Sequence, residues 1–346
     1  MLRYELSCRE PSCNVSHELV LSAAFKMDAF VGDVLARLEN AFNLGKRTFE
    51  SELARIEDFA AEMTRSIVPE EIRRILWAHR EDIKAVWVVA DSPYMPWELL
   101  YIGDPEGSGA GAFLCEWGWS AGCTMPAGRL VLDDARVRFV IPDYASAKCE
   151  LKGAAEERQM LLELFPRAKP IKAEFEAVRR HLKEAATCDV LHFACHGLAE
   201  QKAVLRSELI LEGAEQDGKV FEDRLGYETV KRAASFGEGE QSSLVFINAC
   251  QTGRAGEGIA GVAGFAEAFL RPNSRKGAAI FVGALWSVDD SLAKNFASAF
   301  YSALLRGEPL VTASKTARAA CKKGDFTWLA YSIYGNPFAR VRSLVP

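Results

Sequence analysis

An α/β fold built on a mostly parallel sheet is what this sequence predicts, and three observations carry the expectation. From Ala135 onward, short β-branched runs alternate with amphipathic helical patterns, the signature of βαβ units. One of those runs, Leu244-Val-Phe-Ile-Asn-Ala249, is apolar almost without interruption, as in a strand whose two faces are both covered by helices. The 346 residues, 49% hydrophobic and 26% charged, are enough for a large core in one big domain or two ordinary ones. Wholesale disorder, collagen-like repeats and coiled-coil rods are excluded by the same figures.

The first 130 residues read differently from the rest. A charged helical segment spans roughly Phe49 to Arg80, a strand covers Ala85-Val-Trp-Val-Val-Ala90, and Pro96-Trp-Glu-Leu-Leu100 opens a further element. Four glycines from Gly103 to Gly111, and a Gly- and Trp-rich stretch from Trp117 to Gly128, predict mostly loop. A seam near Leu132-Asp-Asp134 divides a smaller N-terminal supporting or regulatory α/β region, 1–132, from the main α/β domain, 133–346.

In that second part, Arg136-Val-Arg-Phe-Val-Ile141 predicts a strand closed by Pro142, and Glu150 to Phe165 a helix closed by Pro166. A short strand near Pro170-Ile-Lys172 and a helix from Glu174 to Ala186 follow. Cys188-Asp-Val-Leu-His-Phe-Ala-Cys195 is the next strand and stops at His196-Gly197. A hairpin strand at Glu208-Leu-Ile-Leu211 and a helix around Tyr227 to Ala234 lead to the apolar run ending at Cys250. A helix from about Ile259 to Leu270, a buried strand at Ala278-Ala-Ile-Phe-Val-Gly283, and helices from Asp289 to Leu305 and Leu310 to Lys322 complete the pattern.

The formal charge of -5 gives no global attraction for nucleic acid or anionic lipid, and no apolar stretch is long enough to span a membrane as a helix. Nucleic acid and membrane are therefore not expected as partners. The start, Met1-Leu-Arg-Tyr-Glu-Leu-Ser-Cys8, lacks the basic and apolar regions of a secretory signal, so the expectation is a cytoplasmic protein. Nine cysteines, scattered and never in a CxxC pair, predict neither a disulfide framework nor a zinc ribbon, but mostly reduced core thiols.

Ligands and reactive groups of an open α/β sheet gather beyond the carboxyl ends of its strands, and two strands here end in reactive residues, His196 and Cys250. A thiol needs a nearby imidazole, positive charge or dipole to ionise near neutral pH, and His196 offers one. Gly197 and the small Ala249 leave the amides of Gly197 and Cys250 room to face a developing oxyanion. The bland alternative is a pair of packing residues, as expected for Cys195, which alternates to the opposite face, and for Cys188.

Other motifs weaken on inspection. Gly256-Glu-Gly-Ile-Ala-Gly261 matches GxGxxG, but its first glycine falls six residues past Cys250 instead of in the turn after the strand, so a nucleotide-sensing domain is the weakest reading. His192 and His196 form HxxxH, yet on a strand four residues at about 3.3 Å put them about 13 Å apart, too far for one metal. No metal site is expected; His192 is expected as a hydrogen-bonded core residue, and His17, His79 and His181 as surface residues. The basic helix around Lys172 to Lys183 is diluted by Glu174, Glu176 and Glu184.

The strings Cys188-Asp-Val-Leu-His-Phe-Ala-Cys-His-Gly197 and Leu244-Val-Phe-Ile-Asn-Ala-Cys-Gln-Thr252 resemble those of the CHAT family of caspase-like cysteine peptidases. Pro96-Trp-Glu-Leu-Leu100 is similar to the opening segment of such domains, Gly283-Ala-Leu-Trp-Ser-Val-Asp-Asp290 to their Trp-containing strand-end loop, and Tyr331-Ser-Ile-Tyr-Gly-Asn-Pro337 to their closing segment. Order and spacing agree over roughly residues 85 to 338.

The resemblance implies a caspase/hemoglobinase-like fold, His196 and Cys250 as catalytic dyad, Gly197 and the Cys250 amide as oxyanion hole, and no cofactor. Asn248 stands where Arg-specific relatives such as metacaspases carry an Asp for a basic P1 side chain, a departure that speaks against strict Arg/Lys specificity. Trp286, Ser287 and Asp289 are candidate substrate-binding residues; their bland reading is an aromatic core anchor with Asp289 capping the next helix. By analogy the substrate is one specific protein, a pore-forming gasdermin-like effector or another protease, cleaved in antiviral defence or programmed cell death, with the N-terminal region taking an activating partner. The rival from another class is a catalytically silent caspase-like interaction module.

Overall fold

The computed structural model describes residues 2–7, 16–21 and 48–344, apart from 90–95, 118, 123–129, 145–150, 152, 185–186, 201–202, 217–218, 237–241, 251–260, 274–275, 287 and 323–324. Leu2–Ser7 (β1) and Ser16–Leu21 (β2) pair as an antiparallel ribbon of their own. Helix α1, Phe49–Ile67, begins where the Thr48 hydroxyl accepts the Ser51 amide at 3.3 Å, and it buries Ile56, Ala60, Met63 and Ile67 as one stripe. The single helical segment expected from Phe49 to Arg80 is two helices, because Val68 turns extended ahead of Pro69 and α2 then runs Glu70–Ala78.

Strand β3, Val86–Val89, follows as expected. The stretch from 103 to 128, expected as mostly loop, holds part of a hairpin between β4, Tyr101–Gly103, and β5, Gly111–Phe113, and then β6, Trp119–Gly122. Gly107 and Gly109 sit in the hairpin's connection with positive φ, so they mark a turn between strands and not the lack of them. After β7, Leu130–Leu132, comes the repeating part: β8 Val137–Val140, α3 Ala154–Leu164, β9 Lys169–Pro170, α4 Phe175–Lys183 and β10 Val190–Glu200. Next are β11 Ala203–Ile210, a hairpin of β12 Ala214–Gln216 and β13 Lys219–Phe221, β14 Arg224–Gly226 and α5 Tyr227–Ala233. The chain continues through β15 Leu244–Cys250, α6 Gly261–Leu270, β16 Ile280–Ala284, α7 Asp290–Leu305, α8 Leu310–Cys321, α9 Thr327–Ala330, β17 Tyr331–Tyr334 and β18 Val341–Ser343.

Ten strands form one sheet, in the order β14-β11-β10-β15-β16-β17-β6-β3, with β8 on β10 and β9 on β8. Strands β9, β8, β10, β15 and β16 run parallel, β17 is antiparallel to β16, and β6 and β3 lie parallel beyond it. This is the mostly parallel α/β sheet flanked by helices that the alternating pattern predicts. The sheet crosses the boundary expected at residue 132, since β3 and β6 come from before it.

Both faces are covered by helices, which is why β15, apart from Asn248, and β16 are built of apolar and small residues. On one face, Phe269 of α6 meets Phe193, Phe236 and Phe281; on the other, Phe246 of β15 meets Phe296, Phe300 and Tyr301 of α7. Each such ring withdrawn from water contributes about 1.5–3 kcal/mol.

Strand β10 does not stop at His196, as the sequence reading has it, but continues to Glu200. The reason is β11, which returns antiparallel and pairs from His196↔Ile210 onward. The same edge of β10 is held lower down by β8, at Val190 to Phe193. This edge therefore forks, and His196 is the first residue paired beyond the fork.

Candidate active site

Strands β10 and β15 run side by side in an unbroken parallel register: His192↔Phe246, Ala194↔Asn248, His196↔Cys250. The two residues singled out as candidates thus stand directly across from each other, at the last step of the parallel β10–β15 pairing. Gly197 follows immediately, and a Cβ there would meet the Cβ of Ala249 at 3.2 Å, so the two small residues let the strand ends approach closely.

His196 is 2% exposed and its imidazole lies flat against the ring of Tyr144, centroids 4.7 Å apart and planes 19° from parallel. The Tyr144 hydroxyl accepts the His196 backbone N–H at 2.8 Å and donates to the carbonyl of Ile210 at 2.8 Å. Sequence reasoning missed Tyr144. The available signal was its place just past Pro142, at the end of a strand next to the one that carries the histidine.

Beneath the pair runs a buried polar network. His192 is fully buried, as expected of a core histidine, with Nε2 2.9 Å from Glu157 Oε1 and Nδ1 3.0 Å from the Tyr301 hydroxyl. The carboxylate only accepts, so Nε2 carries a hydrogen. The same Glu157 oxygen accepts from the side-chain amide of Asn248 at 2.5 Å, and the Tyr331 hydroxyl donates to Asn248 Oδ1 at 2.7 Å. Burial and the nearby Glu157 push the Tyr301 phenol well above its ordinary range, which keeps its proton in place.

Asn248 therefore has both polar atoms engaged, and it borders a small pocket with Gly153, Ala154, Glu157, Ala194 and Asp290. Asp290 Oδ2 accepts the Gly153 amide at 3.3 Å. Trp286 is buried, and Asp289 caps α7 by accepting the Leu292 amide at 3.0 Å, the bland alternative for that residue. Ser287 and most of the Gly256–Gly261 motif lie outside the described residues.

Among the described residues, four further thiols are core residues, while Cys8, Cys13, Cys123 and Cys149 lie outside them. Cys195 is buried, and desolvation pushes the thiols of Cys115, Cys188 and Cys321 up to about 12, leaving them inert near neutral pH. His181 corrects an expectation: it is half-buried, not a surface residue, and burial with the neighbouring Arg138 lowers it to about 4. Among the described residues, no helix is long and apolar enough to cross a membrane.

A search of curated proteins returns no match. Among solved structures, the chain is similar to the Arg-specific cysteine proteinase gingipain R, with a TM-score of 0.46 and 12% identity, covering 83% of this chain and 72% of that one. It is similar also to RgpB of Porphyromonas gingivalis in the complex of its pro- and mature domains, with a TM-score of 0.48 and 12% identity over 83% and 73% of the two chains. The separase–securin complex of Saccharomyces cerevisiae gives a TM-score of 0.43 and 14% identity, covering 72% of this chain and 15% of the other. At such scores and identities the assignment rests on the family match alone. The CHAT domain profile matches residues 61–336, taking in β10, β15, β16 and β17, and on that match the chain belongs to the CHAT domain family.

Proposed function

We propose that this chain is a cysteine endopeptidase in which Cys250 is the nucleophile and His196 the general base and acid. The observation that carries it is the pairing of His196 with Cys250 at the last step of the parallel β10–β15 ladder. His196 takes the thiol proton as sulfur attacks the scissile carbonyl carbon, and the carbonyl electron pair moves to oxygen, faced by the amides of Gly197 and Cys250. Collapse expels the amine, which leaves with the proton from His196. Water activated by the same imidazole then hydrolyses the thioester. No cofactor takes part.

Substrate binding is assigned to Asn248, Trp286, Ser287 and Asp289 together with the small pocket between α3 and α7. That pocket is bordered by Ala194 and Asn248, each two residues before a member of the proposed dyad. A neutral Asn248 already bonded to Glu157 and Tyr331 supports a P1 preference that is not strictly basic. In this reading the enzyme is cytoplasmic and makes limited cuts in one protein, a gasdermin-like effector or another protease, in a prokaryotic defence or cell-death pathway. Residues 1–132 take its activating partner.

Site-resolved alkylation at pH 6 tests the dyad. Cys250 should label faster than the other thiols in the wild type and lose that advantage in His196→Ala. Uniform labelling, together with no cleavage of any candidate partner, would replace the peptidase by a silent interaction module, as would full biological activity in Cys250→Ala.

A further inference from the structure

We infer that Tyr144 is the positioning residue of His196, a role that rests on the dyad reading above. Where β10 changes partners its edge is weakest: β8 pairs no higher than Phe193 and β11 no lower than His196. A hydroxyl that both accepts and donates closes that point, taking the His196 N–H at 2.8 Å and giving its own hydrogen to Ile210 at 2.8 Å. The backbone of the histidine is thereby tied to β11 through one phenol.

The ring of the same side chain fixes the imidazole. With centroids at 4.7 Å and planes 19° apart, it blocks rotation of the imidazole out of its plane on that side and presents a π face to it. Holding the imidazole in one orientation favours the approach of base and thiol that the proposed chemistry requires. Among the described residues, Glu208 of β11 pairs with Arg224 at 2.9 Å, His192 of β10 with Glu157 of α3 at 2.9 Å, and Asp143, beside Tyr144, with Arg158 at 3.0 Å. One residue holds both the main chain and the ring of the proposed base.

The test follows the rate of Cys250 alkylation by iodoacetamide against pH in the full chain, for wild type, His196→Ala, Tyr144→Phe and Tyr144→Leu. If wild-type labelling does not depend on His196, the dyad reading falls and this inference with it. Given that dependence, Tyr144→Leu should label about tenfold more slowly at pH 6, with its inflection moved toward that of a free thiol near 8.5. Tyr144→Phe keeps the ring and should keep the inflection, while the His196 amide, having lost its acceptor, exchanges with solvent about fivefold faster or more. A folded Tyr144→Leu with the wild-type profile overturns the role of the ring. An unchanged His196 amide in Tyr144→Phe overturns the role of the hydroxyl, and this second variant stays readable even if the leucine one fails to fold.

Discussion

One carboxyl oxygen of Glu157 serves two buried donors, the imidazole of His192 and the amide of Asn248. Truncation to alanine leaves both unsatisfied, and an orphaned buried donor costs about 1–3 kcal/mol. We expect Glu157→Ala to lose about 2–5 kcal/mol in urea denaturation, and Glu157→Gln, which retains one acceptor oxygen, to lose less. Equal losses would mean that only the charge matters. Neither this residue nor Tyr144 was legible from the sequence, although the placing of His196 and Cys250 on two strands of the sheet and the core role of His192 were. Strand ends announce themselves by an apolar run breaking at a polar residue, whereas Glu157 and Tyr144 act on β10 and β15 from segments distant in the chain. Their partners are set by packing and not by spacing. Asp289 shows the converse: the helix-capping pattern was readable, and the carboxylate accepts the Leu292 amide as that pattern requires.

Between α6 and β16 the chain has no room for a side chain at Gly277, where a Cβ would lie 1.9 Å from the carbonyl oxygen of Leu270. The obstacle is backbone, so relief requires the end of α6 to move. Gly277→Ala is expected to cost about 3 kcal/mol, at the upper end of what single substitutions do, read as a lowered denaturation midpoint. Most elements were legible because burial on both faces of the sheet demands uninterrupted apolar runs, as in β15 and β16. Where expectation and structure part, a partner decides. β10 extends past His196 because β11 is there to accept it, and the stretch after Gly103 becomes strands because β4 and β17 offer edges. The break between α1 and α2 at Pro69 is different in kind, since the proline was visible and the pre-proline residue obeys it.

At the scale of the molecule, the N-terminal segment is stitched to the sheet by a buried acid. Glu98, in the turn Trp97–Leu99, is fully buried and accepts from Ser332 and from the Ile333 amide of β17, both at 3.0 Å. Burial raises its carboxyl above the usual 4.5, with Arg318 and these hydrogen bonds opposing. A carboxyl raised on folding stabilises the native state below its unfolded pKa, and that contribution is lost as pH climbs through the folded value. Wild type should therefore lose stability relative to Glu98→Gln as pH rises above the usual 4.5 of a glutamate, measured by denaturation at each pH; a constant difference would show that Glu98 does not titrate on folding. The fork in β10 has one more consequence, in time. β11 begins only a short connection after β10 ends, whereas β8 and β15 reach β10 through crossovers, so loop-closure entropy favours the hairpin as the earliest partnership of that strand. Leu209→Ala in β11 should then slow refolding, and Ile247→Val in β15 should chiefly hasten unfolding; the reverse in stopped-flow kinetics would invert the order. The histidine end of the proposed dyad is, on this account, assembled first, and the cysteine strand docks onto a hairpin already made.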